Sequence, residues 1–149
     1  MSHQIGDTMT EAYNDRNCLR SEALRLHLKK VNATAGSLHR IHPSQTYLML
    51  VVAVGLPSDL LPTIEEINIG KGLAGLAWMR ESVVSSCNLQ NDPNVGLKAK
   101  PLPFDSTYAI PFFEHGLVKG VLGVAFDRTV QLNPEMLKLL SVLPPELST

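Results

Sequence analysis

Hydrophobic positions change their period several times along the chain, and each change marks an element. Over residues 10–31, Leu19, Ala23 and Leu26 fall on one line and Leu24, Leu28 and Val31 on an adjacent one. No Gly or Pro interrupts them, which predicts a long amphipathic helix. Residues 33–42 and 45–54 read as a strand pair joined by a short turn at Pro43-Ser44. The second of these strands is apolar on both alternating faces, so it is expected to be covered from above and below. Gly55 to Asp59 breaks the sheet, residues 65–69 alternate as a short strand, and residues 73–80 have helical spacing behind Gly70-Lys71-Gly72. A brief strand is predicted at 83–86, and two longer ones at 106–113 and 117–127 flank a turn containing Gly116. Asn133-Pro134-Glu135 supplies a cap, a first-position proline and a first-turn acid ahead of Met136, Leu137, Leu139, Leu140 and Leu143, and Pro144-Pro145 stops that helix.

This order, with hairpins at both ends, specifies an α+β domain with a mostly antiparallel sheet of about six strands and helices on both faces. The domain is expected over residues 10–143, with 1–9 and 144–149 as tails. Residues 87–104 carry no periodic pattern but hold Pro93, Gly96, Pro101 and Pro103, and a connection of that length reads as a functional loop or lid.

Composition narrows the partners. Thirteen Lys/Arg against fourteen Asp/Glu give a net charge of −1, which supplies no field to draw in nucleic acid or an anionic membrane. Residues 16–40 do hold six Lys/Arg against Glu22 alone, but with no interleaved aromatics this stripe reads as a solvated helix face. The longest apolar run, 47–56, is far short of the ~20 residues of a spanning helix, and the N-terminus has neither the basic nor the apolar region of a secretory signal. A cytoplasmic protein is expected, with no membrane partner and with Cys18 and Cys87 as free thiols.

Gly70-Lys-Gly-Leu-Ala-Gly75 matches the dinucleotide pattern G-x-G-x-x-G. Its half-polar leading strand and two-turn helix do not make a Rossmann unit, so the glycines are read as a tight turn with close helix packing. The five histidines fall at no zinc spacing, the serines lack a nucleophile elbow, and no catalytic or metal set emerges. Trp78 is expected in the core, and His39 and His42 are candidates to face a pocket.

Taken in order, the stretch Ile-Asn-Ile-Gly-Lys-Gly-Leu-Ala-Gly-Leu-Ala-Trp (67–78), Val83-Val84, Asp92, Ser-Thr-Tyr-Ala-Ile-Pro-Phe (106–112) and Gly-Val-Leu-Gly-Val (120–124) resembles the GAF domain family. The resemblance covers about residues 19–143. It implies a ligand pocket on one sheet face under the glycine-entered helix and the long loop, lined by Ser37, Leu73, Ala74, Tyr108 and Phe126, with Asp92 as a polar lid residue. No cofactor is named by it.

Asp127-Arg128-Thr129 stands where cyclic-nucleotide members carry their signature, Cys87 is not followed by the His of bilin-binding members, and no cysteine lies between Asn88 and Ser106 where the sulfoxide reductases of the family place theirs. The resemblance therefore implies a small-molecule-binding or sensory domain without catalysis. A reductase of free methionine-(R)-sulfoxide with altered cysteines and a pure interaction module are the alternatives. Because relatives pair through terminal helices, a homodimer is expected, with a separate output protein as a further partner.

Overall fold

The computed structural model describes residues 8–86 and 104–148. Within them the chain runs α1 (Thr8–Lys29), β1 (Ala35–Ile41), β2 (Tyr47–Val54), a 3-10 turn (Ser58–Leu60), α2 (Leu61–Ile64), β3 (Glu66–Asn68), α3 (Gly72–Arg80), β4 (Val84–Ser85), β5 (Ser106–Glu114), β6 (Leu117–Phe126), α4 (Pro134–Ser141) and α5 (Pro145–Ser148). The six strands form one sheet in the order β3-β2-β1-β6-β5-β4, with every neighbouring pair antiparallel. Two hairpins, β1-β2 and β5-β6, are thus joined through their β1 and β6 strands. His115 and Gly116 both have positive φ, 53° and 78°, the two-residue turn whose twist matches the strands it joins.

The sheet divides the core in two. On one face Leu24 and Leu28 of α1, with Val31 just past its end, lie against Leu38, Val52, Ile110, Phe112, Leu122, Val124 and Phe126, and Leu140 and Leu147 close the same cluster. On the other, α3 packs Leu76 and Ala77 against Leu48, Val84, Ala109 and Val121, with Trp78 packed partly buried at the margin. His27 ties the first layer together: a carbonyl can only accept, so its Nε2 carries the proton and donates to the Leu140 oxygen at 3.0 Å, leaving Nδ1 to accept from Lys30 Nζ at 3.3 Å. Burial depresses its pKa below the ordinary histidine value, and the imidazole stays neutral.

The extreme shortness of β4 has a cause in β5. The Thr107 N–H points toward the β4 side, where it meets Ser86 Oγ at 3.3 Å, and amide direction alternates along a strand. Pro111 therefore turns its ring nitrogen to the same edge. Pairing with β4 reaches Tyr108 and Ala109 and stops before the residue that has no N–H to offer.

Element boundaries differ from the sequence reading by one or two residues at most ends. Larger differences fall where chain chemistry is local. The stretch after Gly55, read as a break, winds into the 3-10 turn and α2, with Pro62 in the helix's first turn. Residues 144–149, read as a tail, contain α5, whose Leu147 is 1% exposed and whose backbone oxygen accepts from Arg40 Nη2. Two prolines ended one helix and, by pre-setting φ, started another turn.

Candidate functional site

The glycine motif is a closed knot of backbone. Gly70 and Gly72 have φ of +80° and +61°. The Gly70 N–H donates to the Gly75 oxygen at 2.9 Å, the Lys71 N–H to the Asn68 oxygen at 3.0 Å, and the Gly75 N–H to the Lys71 oxygen at 2.9 Å. With the Gly70 and Lys71 amides satisfied within the turn, they are not available to cradle a phosphate. A Cβ at Gly75 would lie 2.5 Å from the Asn68 oxygen, so the third glycine is what lets α3 sit against the turn that leads into it.

That packing brings Leu73 and Ala74 onto the α3 side of the sheet, and Ser37 of β1 faces the same side. Tyr108 and Phe126 do not. Both belong to the α1 side, where Phe126 is fully buried, Tyr108 meets it edge-on with ring centroids 6.3 Å apart, and the Tyr108 hydroxyl donates to the Val130 oxygen. The five residues expected together on one face are therefore divided between the two faces of the sheet. Side chains alternate between faces, so Tyr108 and Phe126 share a face with Gly36, Leu38 and Val124, and their immediate neighbours Thr107 and Ala125 take the α3 side in their place. Asp92 lies outside the described residues, as does Cys87.

The α3 side has a feature the motifs did not announce. One cross-strand row consists of Ala53, Ser37, Gly123 and Ala109, on β2, β1, β6 and β5. The next row consists of Ala35, Ala125 and Thr107. Nothing larger than threonine occurs in either. At the usual strand spacing the first row spans roughly 14 Å across the sheet and the two rows lie about 7 Å apart. On the opposite face the same stretch carries Val52, Leu38, Leu122 and Ile110, which fill their layer with large side chains. Over this stretch the sheet thus carries large side chains on one face and a shelf of small ones on the other.

Polar groups on the shelf side are few and specific. Thr107 is 4% exposed, and its Oγ1 has no hydrogen-bond partner. Ser37 Oγ lies 2.7 Å from where a Cβ on Gly123 would stand, so that glycine gives the hydroxyl its room. Farther along β1, His39 donates its Nε2 proton to the Ile64 oxygen at 2.7 Å. The remaining nitrogen, Nδ1, is then a bare lone pair, and it too has no partner. Burial holds the His39 pKa below the ordinary range, so the ring stays a neutral acceptor. An unpartnered buried polar atom costs about 1–3 kcal/mol, and two of the three such atoms among the described residues lie on this face. His42, the other histidine candidate, stands outside β1; it stacks on Tyr47 at 4.5 Å and its Nδ1 accepts from the Ser44 N–H, a turn lock. Among the described residues no group of three or more His, Cys, Asp or Glu could hold a metal, and no helix is long and apolar enough to cross a membrane.

Residues 21–143 match the family model of the GAF domain, GAF_2. The chain belongs to the GAF domain family. No curated protein sequence matches it. Among solved structures, the type II free methionine-R-sulfoxide reductase of Thermoplasma acidophilum is similar with a TM-score of 0.66 at 20% identity, over 87% of this chain and 86% of that one. The GAF domain of an Acinetobacter phosphoenolpyruvate-protein phosphotransferase also gives 0.66, at 15% identity over 97% and 92%. The corresponding domain from Coxiella burnetii gives 0.63, at 21% identity over 90% and 82%. At such identities these likenesses speak to the GAF fold, and the fold is shared by enzymes and non-enzymes alike.

Proposed function

We propose that this GAF domain is a non-catalytic sensory module that binds a small molecule on the α3 side of its sheet. The observation that supports this reading is the shelf of small residues with the buried, unpartnered Thr107 hydroxyl set in it. A packed core has no use for two successive rows of Ala, Ser and Gly beneath a short helix, whereas a ligand needs a concave, mostly apolar floor with a few fixed polar groups. Ser37 Oγ and Thr107 Oγ1 supply those groups, Leu73 and Ala74 form the wall, and none of the named shelf residues is charged. The ligand that fits is compact and uncharged over the shelf, with a hydrogen-bonding group toward Thr107.

The test is a metabolite panel read by thermal shift, beside native mass spectrometry of material from its own host. A ligand at a hundred times its dissociation constant stabilises the fold by about 2.7 kcal/mol. The shift should disappear in Ala125→Met, which places a long side chain on the shelf. A panel and a native spectrum without any bound mass, or a shift that Ala125→Met leaves intact, would favour an interaction module with a filled face.

A further inference from the structure

The shelf of small residues ends in a wall, and the wall holds one polar side chain. Beyond the row of Ala53, Ser37, Gly123 and Ala109, the next row on the same face is Leu50, His39, Val121 and Pro111, again on β2, β1, β6 and β5. The step from one row to the next is two residues along a strand, about 7 Å. Within that step Leu50, His39 and Val121 rise where the shelf has Ala53, Ser37 and Gly123, and Val121 packs against α3. A molecule lying on the shelf therefore meets this row end-on, and its polar member is His39, 2% exposed.

One nitrogen of His39 is committed and the other is idle. The Nε2 proton goes to the Ile64 oxygen at 2.7 Å, at the end of α2, which fixes the tautomer: Nδ1 carries no proton and can only accept. The two nitrogens diverge across the ring, so Nδ1 is turned away from α2, and it is buried without a partner. A buried acceptor of this kind calls for a donor. Thr107 Oγ1, the other unpartnered atom on this face, stands two rows away, roughly 14 Å along the strands, with the row of Ser37 between them. A hydroxyl donates or accepts, so Thr107 takes either kind of group, whereas His39 takes one. We infer that His39 sets the specificity of this site: its Nδ1 accepts a hydrogen bond from a neutral N–H or O–H, of the carboxamide or alcohol class, at the end of the ligand that meets the wall. The inference rests on the ligand reading above and deepens it. A carboxylate or phosphate at that end would set its lone pairs against the bare Nδ1. An ammonium would be buried without a counter-charge, since burial and the Ile64 bond govern the titration of His39 and among the described residues no charge acts on it.

The experiment uses the full chain and three probes of one shape, benzamide, benzyl alcohol and benzoate. Binding is followed by NMR titration together with the imidazole nitrogen resonances, those of His39 being assigned by their loss in His39→Gln. Benzamide and benzyl alcohol should bind about tenfold or more tightly than benzoate. Their binding should also move the His39 Nδ1 resonance. His39→Gln keeps an amide N–H for the Ile64 oxygen but has no ring Nδ1, so it should erase the preference. If that variant does not fold, the Nδ1 resonance of the parent chain decides alone. Binding that Ala125→Met blocks but that leaves Nδ1 unmoved overturns the role of His39 and leaves the ligand site standing, as does binding blocked in the same way in which benzoate equals or exceeds benzamide. No binding of any probe to the parent chain overturns both.

Discussion

Gly72 and Gly75 stand three residues apart in one motif for different physical reasons, and substitution separates them. At Gly72 a Cβ would meet nothing within 4 Å, but φ is +61°. Any cost there is purely backbone. An L-residue in that left-handed region costs about 1–2 kcal/mol, a β-branched one up to about 3, and asparagine considerably less because its short polar side chain tolerates the conformation. Gly72→Val should therefore lose about 2–3 kcal/mol and Gly72→Asn under about 1.

At Gly75 the conformation is helical and the obstacle is contact: the new Cβ would stand 2.5 Å from the Asn68 oxygen and 3.1 Å from the Gly70 nitrogen. Both are backbone atoms in the turn, so the turn must move, weakening the Gly70 and Lys71 hydrogen bonds at about 1 kcal/mol each with overpacking of about 1–3 kcal/mol added. Roughly 1 kcal/mol of helix propensity is regained by alanine. For a domain of this size 1 kcal/mol moves the melting temperature by about 2–4 °C, so Gly72→Val should fall by about 4–12 °C and Gly75→Ala by about 4–16 °C, while Gly72→Asn stays within a few degrees of the parent. Calorimetry on the three variants decides it. An unchanged melt for Gly72→Val, or Gly72→Asn melting as low as Gly72→Val, would refute the reasoning, because φ would then not be the cause.

Three further outcomes are expected. His27 and His39 are both held neutral by burial, so below about pH 6.5 the unfolded chain takes up protons that the folded chain does not; urea midpoints should fall from pH 7.5 to pH 5, at no more than about 1.4 kcal/mol per pH unit per histidine, and a flat or rising profile would contradict this. Deleting residues 145–149 removes buried Leu147 and the Arg40 contact and should cost about 2–5 kcal/mol by denaturant unfolding, whereas a tail in solvent would cost nothing measurable. The purified protein should not reduce free methionine-(R)-sulfoxide with a dithiol, and Cys87→Ser should leave fold and ligand shifts unchanged; turnover that disappears in Cys87→Ser would overturn the non-catalytic reading.

The fold was legible because its signals are local and mutually consistent. Asn133 accepts from the Met136 N–H at 2.8 Å, as its place before Pro134 and Glu135 predicts, and Gly116 sits in the hairpin turn its spacing implies. What the pattern concealed was governed by contacts distant in sequence. Leu147 follows two prolines and looks terminal, yet Arg40, 107 positions earlier, holds its carbonyl. The helical turns between Gly55 and β3 are anchored by His39 reaching the Ile64 oxygen, a contact no local rule contains.

The site was harder because its information is one of parity. Within Ser106–Phe112 every second residue faces each side, and an aromatic such as Tyr108 draws the eye as a ligand contact, whereas the strand places the modest Thr107 and Ala109 on the shelf side. A phase could have been found without coordinates. Gly120, Leu122 and Val124 alternate against Val121, Gly123 and Ala125, and the series containing Gly123 and Ala125 is the small one. Matched with Ser37 and Ala35 on β1 and with Ala53 on β2, small residues recur at a period of two on strands that neighbour one another. A core selected only for stability would fill such positions, since each buried methylene contributes about 0.8 kcal/mol. Small residues at these positions on four neighbouring strands give up several such contributions at once, and that loss is why we propose that a ligand, stabilising the fold by linkage, binds on this side.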